Sequence, residues 1–167
     1  KPAAITLKLN PITGKDVKDV PGAGAAGGLG GGFLAFLNAR LERGIEMVLD
    51  AIAFDDIIRG ADLVITGEGR VDSQTLTGKT PFGIMKRAQK QNIRTVAIGG
   101  SVMLGDEDDV SGFDSIWPVT PVGMPLEEAM KAEVASANVR ETVKKIMFEY
   151  KTEENEYKQT FNTYLER

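Results

Sequence analysis

Beyond residue 60 the apolar positions come in short unbroken runs. Ala61–Gly67 (ADLVITG), Ile93–Ile98 (IRTVAI) and Ser115–Val119 (SIWPV) are bounded by Asp, Gly or Ser. Runs of this length read as buried strands of a parallel sheet. Pro118 puts the end of the third strand at an edge or bend. Between and after these runs the rhythm becomes helical. Phe82, Met85 and Ala88, joined by Ile84, form one stripe, with Thr80 and Pro81 as N-cap and first helical residue. Lys86, Arg87 and Lys90 read as solvated. A helix opens at Pro125–Met130. A longer one runs from Ala132 to about Tyr150, with Val139, Val143, Ile146 and Tyr150 inward. Residues 151–167 are a polar tail that extends this helix or frays.

The first sixty residues follow a different pattern. Ala4–Leu9 (AITLKL) alternates as a strand would, and Asn10-Pro11 and Thr13-Gly14 mark turns. Seven of the twelve residues in 21–32 (PGAGAAGGLGGG) are Gly. Mixed with Ala and Leu rather than Ser, they suit a helix start packed against another backbone. The spacing predicts a helix over 33–43, with Phe33, Leu37 and Leu41 on its inner face and Gly44 as C-cap. A second helix is expected over Ile45–Ala53. A short one follows, capped by Asp55 and ended by Gly60.

Alternating strands and helices imply an α/β architecture with a parallel sheet. Three strands after residue 60 make a partial sheet, since doubly wound sheets usually have more. The chain of 167 residues has 42% hydrophobic and 26% charged residues, as expected of a folded domain. It has no Cys and no His. Disulfides, thiolate sites and the commonest general base are thereby excluded. Acid–base chemistry falls to Asp, Glu, Lys, Tyr or Ser, and any metal is oxygen-bound, which favours Mg²⁺ or Ca²⁺. A net charge of −4 argues against nucleic acid as a partner. No run suggests a membrane span or signal peptide, so a cytoplasmic location is expected. The chain starts at Lys1 without Met, consistent with processing or excision from a longer protein.

Three stretches could carry chemistry. Gly22, Gly24 and Gly27 form G-x-G-x-x-G, but the preceding Lys15–Val20 is too polar for the strand that a dinucleotide site requires. Anion binding by backbone N–H groups and close helix packing both remain open. The second stretch is Thr66–Thr80, TGEGRVDSQTLTGKT, which leaves a strand end as a long loop over 67–80 and enters a helix. Ligands of open α/β sheets bind at that position. Gly67 and Gly69 flank Glu68 and suit close backbone approach. Arg70 offers planar donors for phosphate or carboxylate. Glu68 and Asp72 suit Mg²⁺ or a hydroxyl proton, and Lys79 stands beside Thr80. Gly78-Lys79-Thr80 invites a Walker A reading, but the required glycine five residues earlier is Ser73, so the match fails. An Arg70–Asp72 structural ion pair is the bland alternative. The third stretch is Gly99-Gly100-Ser101 after the second strand, at the same end of a parallel sheet as the long loop; it also reads as a simple strand-to-loop turn.

Residues 21–36 and 63–84 (LVITGEGRVDSQTLTGKTPFGI), with VAIGGSV at 96–102, resemble the bacterial glycerate kinase family. The likeness runs from about Gly14 to Lys145. It implies ATP-dependent phosphorylation of D-glycerate by two α/β domains, one flavodoxin-like (Rossmann-like) and one inserted into it. On that view residues 1–58 end the inserted domain, 59–150 form the C-terminal half of the flavodoxin-like one, and the chain alone has little activity. Roles follow from side-chain chemistry. Glu68 and Asp72 divide between general base and Mg²⁺ ligand, while Arg70 and Lys79 neutralise phosphate or substrate carboxylate. Gly22, Gly24, Gly27, Gly67, Gly69, Ser73, Gly78, Thr80 and Ser101 bind substrate or phosphate. A non-catalytic module that binds a phosphorylated metabolite, or a scaffold that dimerises to complete its sheet, are the alternatives.

Overall fold

A computed structural model describes residues 13–165, with side chains to residue 153. The expected strand over 4–9, the turn at Asn10-Pro11 and the aromatic side chains of Tyr157, Phe161 and Tyr164 lie outside the described set. The chain divides into two compact units, one up to Phe54 and one from Asp55 onward.

In the first unit, helix α1 (Ala25–Leu37) is interrupted near its start, where Ala26, Gly27 and Gly28 adopt left-handed angles. Residues 14–24 before it are turns and irregular chain, with no strand among the described residues ahead of the glycines. A regular helix then runs to Leu37 and stops at Asn38, which is left-handed and sends its N–H to the Phe33 carbonyl. The helix thus ends seven residues before Gly44, which instead opens α2 (Gly44–Ala51). The inner face also differs from the expected Phe33–Leu37–Leu41 stripe. Gly30, Gly31 and Ala35 are buried, while Leu37 is 67% exposed. The reason is backbone proximity. The Gly31 N–H reaches the Ala23 carbonyl at 2.8 Å, and a Cβ on Gly30 would collide with the Gly22 carbonyl. Only the glycine face of the helix can come that close. Leu49 is the buried residue of α2. A short helix, α3 (Phe54–Ile57), opens the second unit, and Gly60 ends that segment with φ of +78°.

The second unit is a parallel sheet in the order β1-β2-β3, formed by Leu63–Asp72, Arg94–Met103 and Ser115–Pro118. Helix α4 (Thr80–Lys90) connects the first two strands. Its Met85 packs with Ala97 of β2 and Phe113, joined by Leu76, Phe82 and Ile116. Successive side chains of a strand point to opposite faces. Val96, next to Ala97, lines a space of about 50 Å³ with Ile146 and Tyr150 of α6 (Ala132–Leu165). Helices α4 and α6 therefore cover opposite faces of the sheet. A four-residue helix, α5 (Leu126–Ala129), precedes α6. The buried stripe of α6 is Thr142 and Ile146, while Val139 is 39% exposed.

Three sequence expectations change here. The first strand does not end at Gly67 but runs to Asp72, and β2 runs to Met103, so Gly99-Gly100-Ser101 is strand and not a turn. The extension holds because Val71 is fully buried and pairs with Val102. The expected 67–80 loop shrinks to residues 73–79, which contain a 3₁₀ turn over Thr75–Thr77. Arg87 is not solvated. Its side chain is 12% exposed, its guanidinium donates to Asp55 at 2.8 Å, and Gln91 donates to the Asp55 carbonyl. Asp55 sits inside α3 rather than capping it, so its carboxylate is available to tie α3 to α4.

Candidate functional site

The longer β1 builds the site. Glu68, Arg70 and Asp72 stand at alternate positions of one strand, on the same face. Buried Val71 between the last two anchors the strand beneath them. The following turn then brings Thr75 and Lys79 back to this face. The Asp72 carboxylate accepts the backbone N–H groups of Gln74 at 3.0 Å and Thr75 at 3.2 Å through one oxygen. This Asx-type arrangement organises the 3₁₀ turn. The Lys79 ammonium reaches the same oxygen at 3.1 Å and lies 3.9 Å from Glu68 Oε2.

Thr75 sits at the centre of the cluster and is fully buried. Its hydroxyl accepts the Asp72 N–H at 3.0 Å and donates to Glu68 Oε1 in a short hydrogen bond. No sequence candidate included Thr75. The signal was Asp72-Ser73-Gln74-Thr75, an acid with a hydroxyl three residues on, which is a turn pattern before it is a catalytic one. The Asp72 partner is Lys79 and not Arg70, so the bland Arg70–Asp72 pair does not form. Arg70 is exposed and lines a cleft of about 970 Å³ together with Glu68 and Ser101. Ser101 is beside Arg70 because the two are register partners.

The glycines around Glu68 are not equivalent. A Cβ on Gly67 would stand 2.8 Å from the Ile98 carbonyl oxygen, so this position serves strand–strand approach. Nothing lies within 4 Å of a Cβ on Gly69, which faces open space. Gly78, with φ of +138°, turns the chain into α4, and Lys79 is the N-cap residue there. Thr80 is thus the first helical residue rather than the N-cap, so the helix begins one position earlier than expected, and Thr80 and Ser73 are exposed. Gly22, Gly24 and Gly27 lie in the first unit. Gly22 and Gly27 have φ of +88° and +70°, and the Gly22 carbonyl accepts the Ala25 N–H at 2.9 Å.

Lys79, by hydrogen bonding first of all, holds the Asp72 carboxyl below the usual carboxylate range, aided by the Thr75 and Gln74 N–H groups. A carboxyl whose pKa is lower in the folded than in the unfolded chain stabilises the fold above its unfolded pKa. That contribution disappears as pH falls through the folded value. The Asp72 titration is expected to move up in Lys79→Ala, as read by carbon-detected NMR. An unmoved midpoint would contradict the assignment of Lys79 as its main partner.

The chemistry of the two carboxylates bears on Mg²⁺. Among the described residues no group of three or more His, Cys, Asp or Glu side chains converges on a metal position. Glu68 and Asp72 supply hard oxygens of the kind that Mg²⁺ takes one or two at a time, the rest being water and phosphate oxygens. The Lys79 ammonium lies beside both, 3.1 Å from Asp72 and 3.9 Å from Glu68.

A family model described as the glycerate kinase family matches residues 3–151. The chain belongs to the glycerate kinase family. The match reaches eleven residues before the expected start at Gly14 and six past Lys145. The chain is 49% identical over 119 residues to a glycerate kinase of Halalkalibacterium halodurans, covering 71% of this chain and 31% of that protein. It is 43% identical over 139 residues to a glycerate 2-kinase of Escherichia coli, covering 77% and 35%. A crystal structure from Salmonella typhimurium LT2, described as a glycerate kinase 2, aligns over 91% of this chain and 38% of its own. Its TM-score is 0.64 at 38% identity. The chain therefore spans about a third of the length of the curated relatives it matches.

Proposed function

We propose that this chain carries the phosphoryl-transfer cluster of a glycerate kinase, acting on ATP and a hydroxyl of D-glycerate. The observation that carries the reading is the convergence of Glu68, Asp72, Thr75 and Lys79 at the C-terminal end of β1, in a chain of this family. Phosphoryl transfer needs little covalent help from the protein. It needs positioning and charge neutralisation. Lys79 and Arg70 supply positive charge for the phosphates or the substrate carboxylate. Asp72, held firmly ionised by Lys79, is a weak base but a dependable anion, so it takes the Mg²⁺ role. Mg²⁺, when bound, neutralises phosphate charge. Glu68 receives the hydroxyl proton as the glycerate oxygen bonds to phosphorus and the bond to the leaving ADP breaks. Thr75 keeps the Glu68 carboxylate aimed.

Two measurements test this reading. Calorimetric titration of the chain with ATP–Mg²⁺ and with D-glycerate is expected to show binding of at least the nucleotide. A coupled assay on the same 167 residues is expected to show little turnover, since they span about a third of the relatives' length. Absence of any binding would overturn the reading, and robust turnover would overturn the proposal that more of the family's length is needed.

A further inference from the structure

We propose that the apolar cleft beside Arg70 takes the purine base of the nucleotide, with Asn138 reading the edge of the base. This rests on the kinase reading above and assigns a subsite to it. The cleft, about 970 Å³, lies wholly within the second unit, between the ends of the strands and helices α5 and α6. Its size is at the upper end of ordinary ligand pockets, ~300–1,000 Å³. Ile98, Met124, Leu126, Met130 and Val139 contribute to its lining. Leu126 and Met130 are 76% and 74% exposed, so apolar side chains stand in water around it. Glycerate is a three-carbon hydroxy acid without an apolar face and would leave this surface wet. A flat aromatic base covers it, and methionine thioethers make favourable contacts with aromatic rings.

The polar groups of the cleft are few and placed to match. Glu68 and Arg70 line it where β1 enters. Glu68 also faces Lys79 at 3.9 Å, outside the cleft lining, so one residue joins the two regions. A base in the cleft sends its phosphate chain past Arg70 toward Lys79. Asn138, on α6, donates from its amide nitrogen to the Met124 thioether at 3.5 Å. Sulfur is a weak acceptor, so this bond is cheaply exchanged. An asparagine amide is the side chain that pairs with both a donor and an acceptor on the adenine edge.

The test separates base from phosphate. The chain is titrated calorimetrically with adenosine, ATP and inorganic tripolyphosphate. Asn138→Ala and Ala135→Trp, which fills the cleft, are titrated alongside, with folding checked by circular dichroism. Asn138→Ala truncates a partly exposed helix residue and keeps the test valid if Ala135→Trp does not fold. The expected result is that adenosine and ATP both bind, that Asn138→Ala weakens both by about tenfold, and that tripolyphosphate binding is unchanged. Ala135→Trp should abolish adenosine binding. If ATP and tripolyphosphate bind but adenosine does not, or the variants bind ATP as the parent chain does, the base subsite is wrong and the phosphate cluster stands. If neither ATP nor tripolyphosphate binds, the kinase reading falls and this inference falls with it.

Discussion

Lys79→Ala is expected to weaken ATP binding by the chain about ten- to thirtyfold. The change removes one positive charge that lies 3.1 Å from Asp72 and 3.9 Å from Glu68. It also leaves two carboxylates facing the phosphates without compensation. Hydrogen bonds to charged groups are worth about 1.5–3 kcal/mol. The lysine side chain is 37% exposed, so the lower part of that range applies once solvent screening is counted. Lys79→Arg should recover part of the affinity, because the charge returns but the guanidinium does not fit a point contact. Calorimetry with ATP–Mg²⁺ reads both. Unchanged affinity in Lys79→Ala would remove Lys79 from the phosphate site.

The second large effect is on stability. Gly67→Ala is expected to destabilise the chain by about 1–3 kcal/mol. The added Cβ would meet the Ile98 carbonyl oxygen at 2.8 Å and the Ile98 side chain at 2.7 Å. The side chain could shift, but the carbonyl belongs to the β2 backbone at the register partner of Gly67, and moving it opens the sheet. Gly69→Ala is the control. It meets nothing within 4 Å and should be neutral or slightly stabilising, since alanine lowers the entropy of the unfolded chain. Urea denaturation of the two variants should separate them. Equal stabilities would show that the glycines flanking Glu68 are interchangeable.

The contrast between these glycines shows what the sequence could and could not reveal. The α/β class and the three strands after residue 60 were legible, because short apolar runs bounded by turn residues have few other readings. The ends of the strands were not. Gly67, Gly69, Gly99 and Gly100 look like turn residues, yet all four lie within strands. Close backbone approach explains them in part. A Cβ on Gly100 would collide with the Gly69 carbonyl at 2.6 Å. The burial of Val71, which carries β1 out to Asp72, depends on tertiary pairing that no local pattern encodes. The same blindness affected α1, where the large apolar residues suggested the wrong inner face and the glycines formed the real one.

Of the candidate residues, Glu68, Asp72 and Lys79 were identifiable from charge and position at a strand end. Their mutual arrangement was not, because it passes through Thr75, whose role is visible only once the turn closes. Arg87 was misread for a related reason. A basic residue on a helix looks solvated until its distant partner, here Asp55, is known.

The central claim is that the nucleotide phosphates engage the cluster at the end of β1. Amide chemical-shift mapping of the ¹⁵N-labelled chain, titrated with ATP–Mg²⁺, tests it most directly. The account predicts the largest perturbations over residues 67–72 and 74–80, with the far end of α6 unmoved. Binding that perturbs other residues and leaves Glu68 through Lys79 unchanged would contradict it.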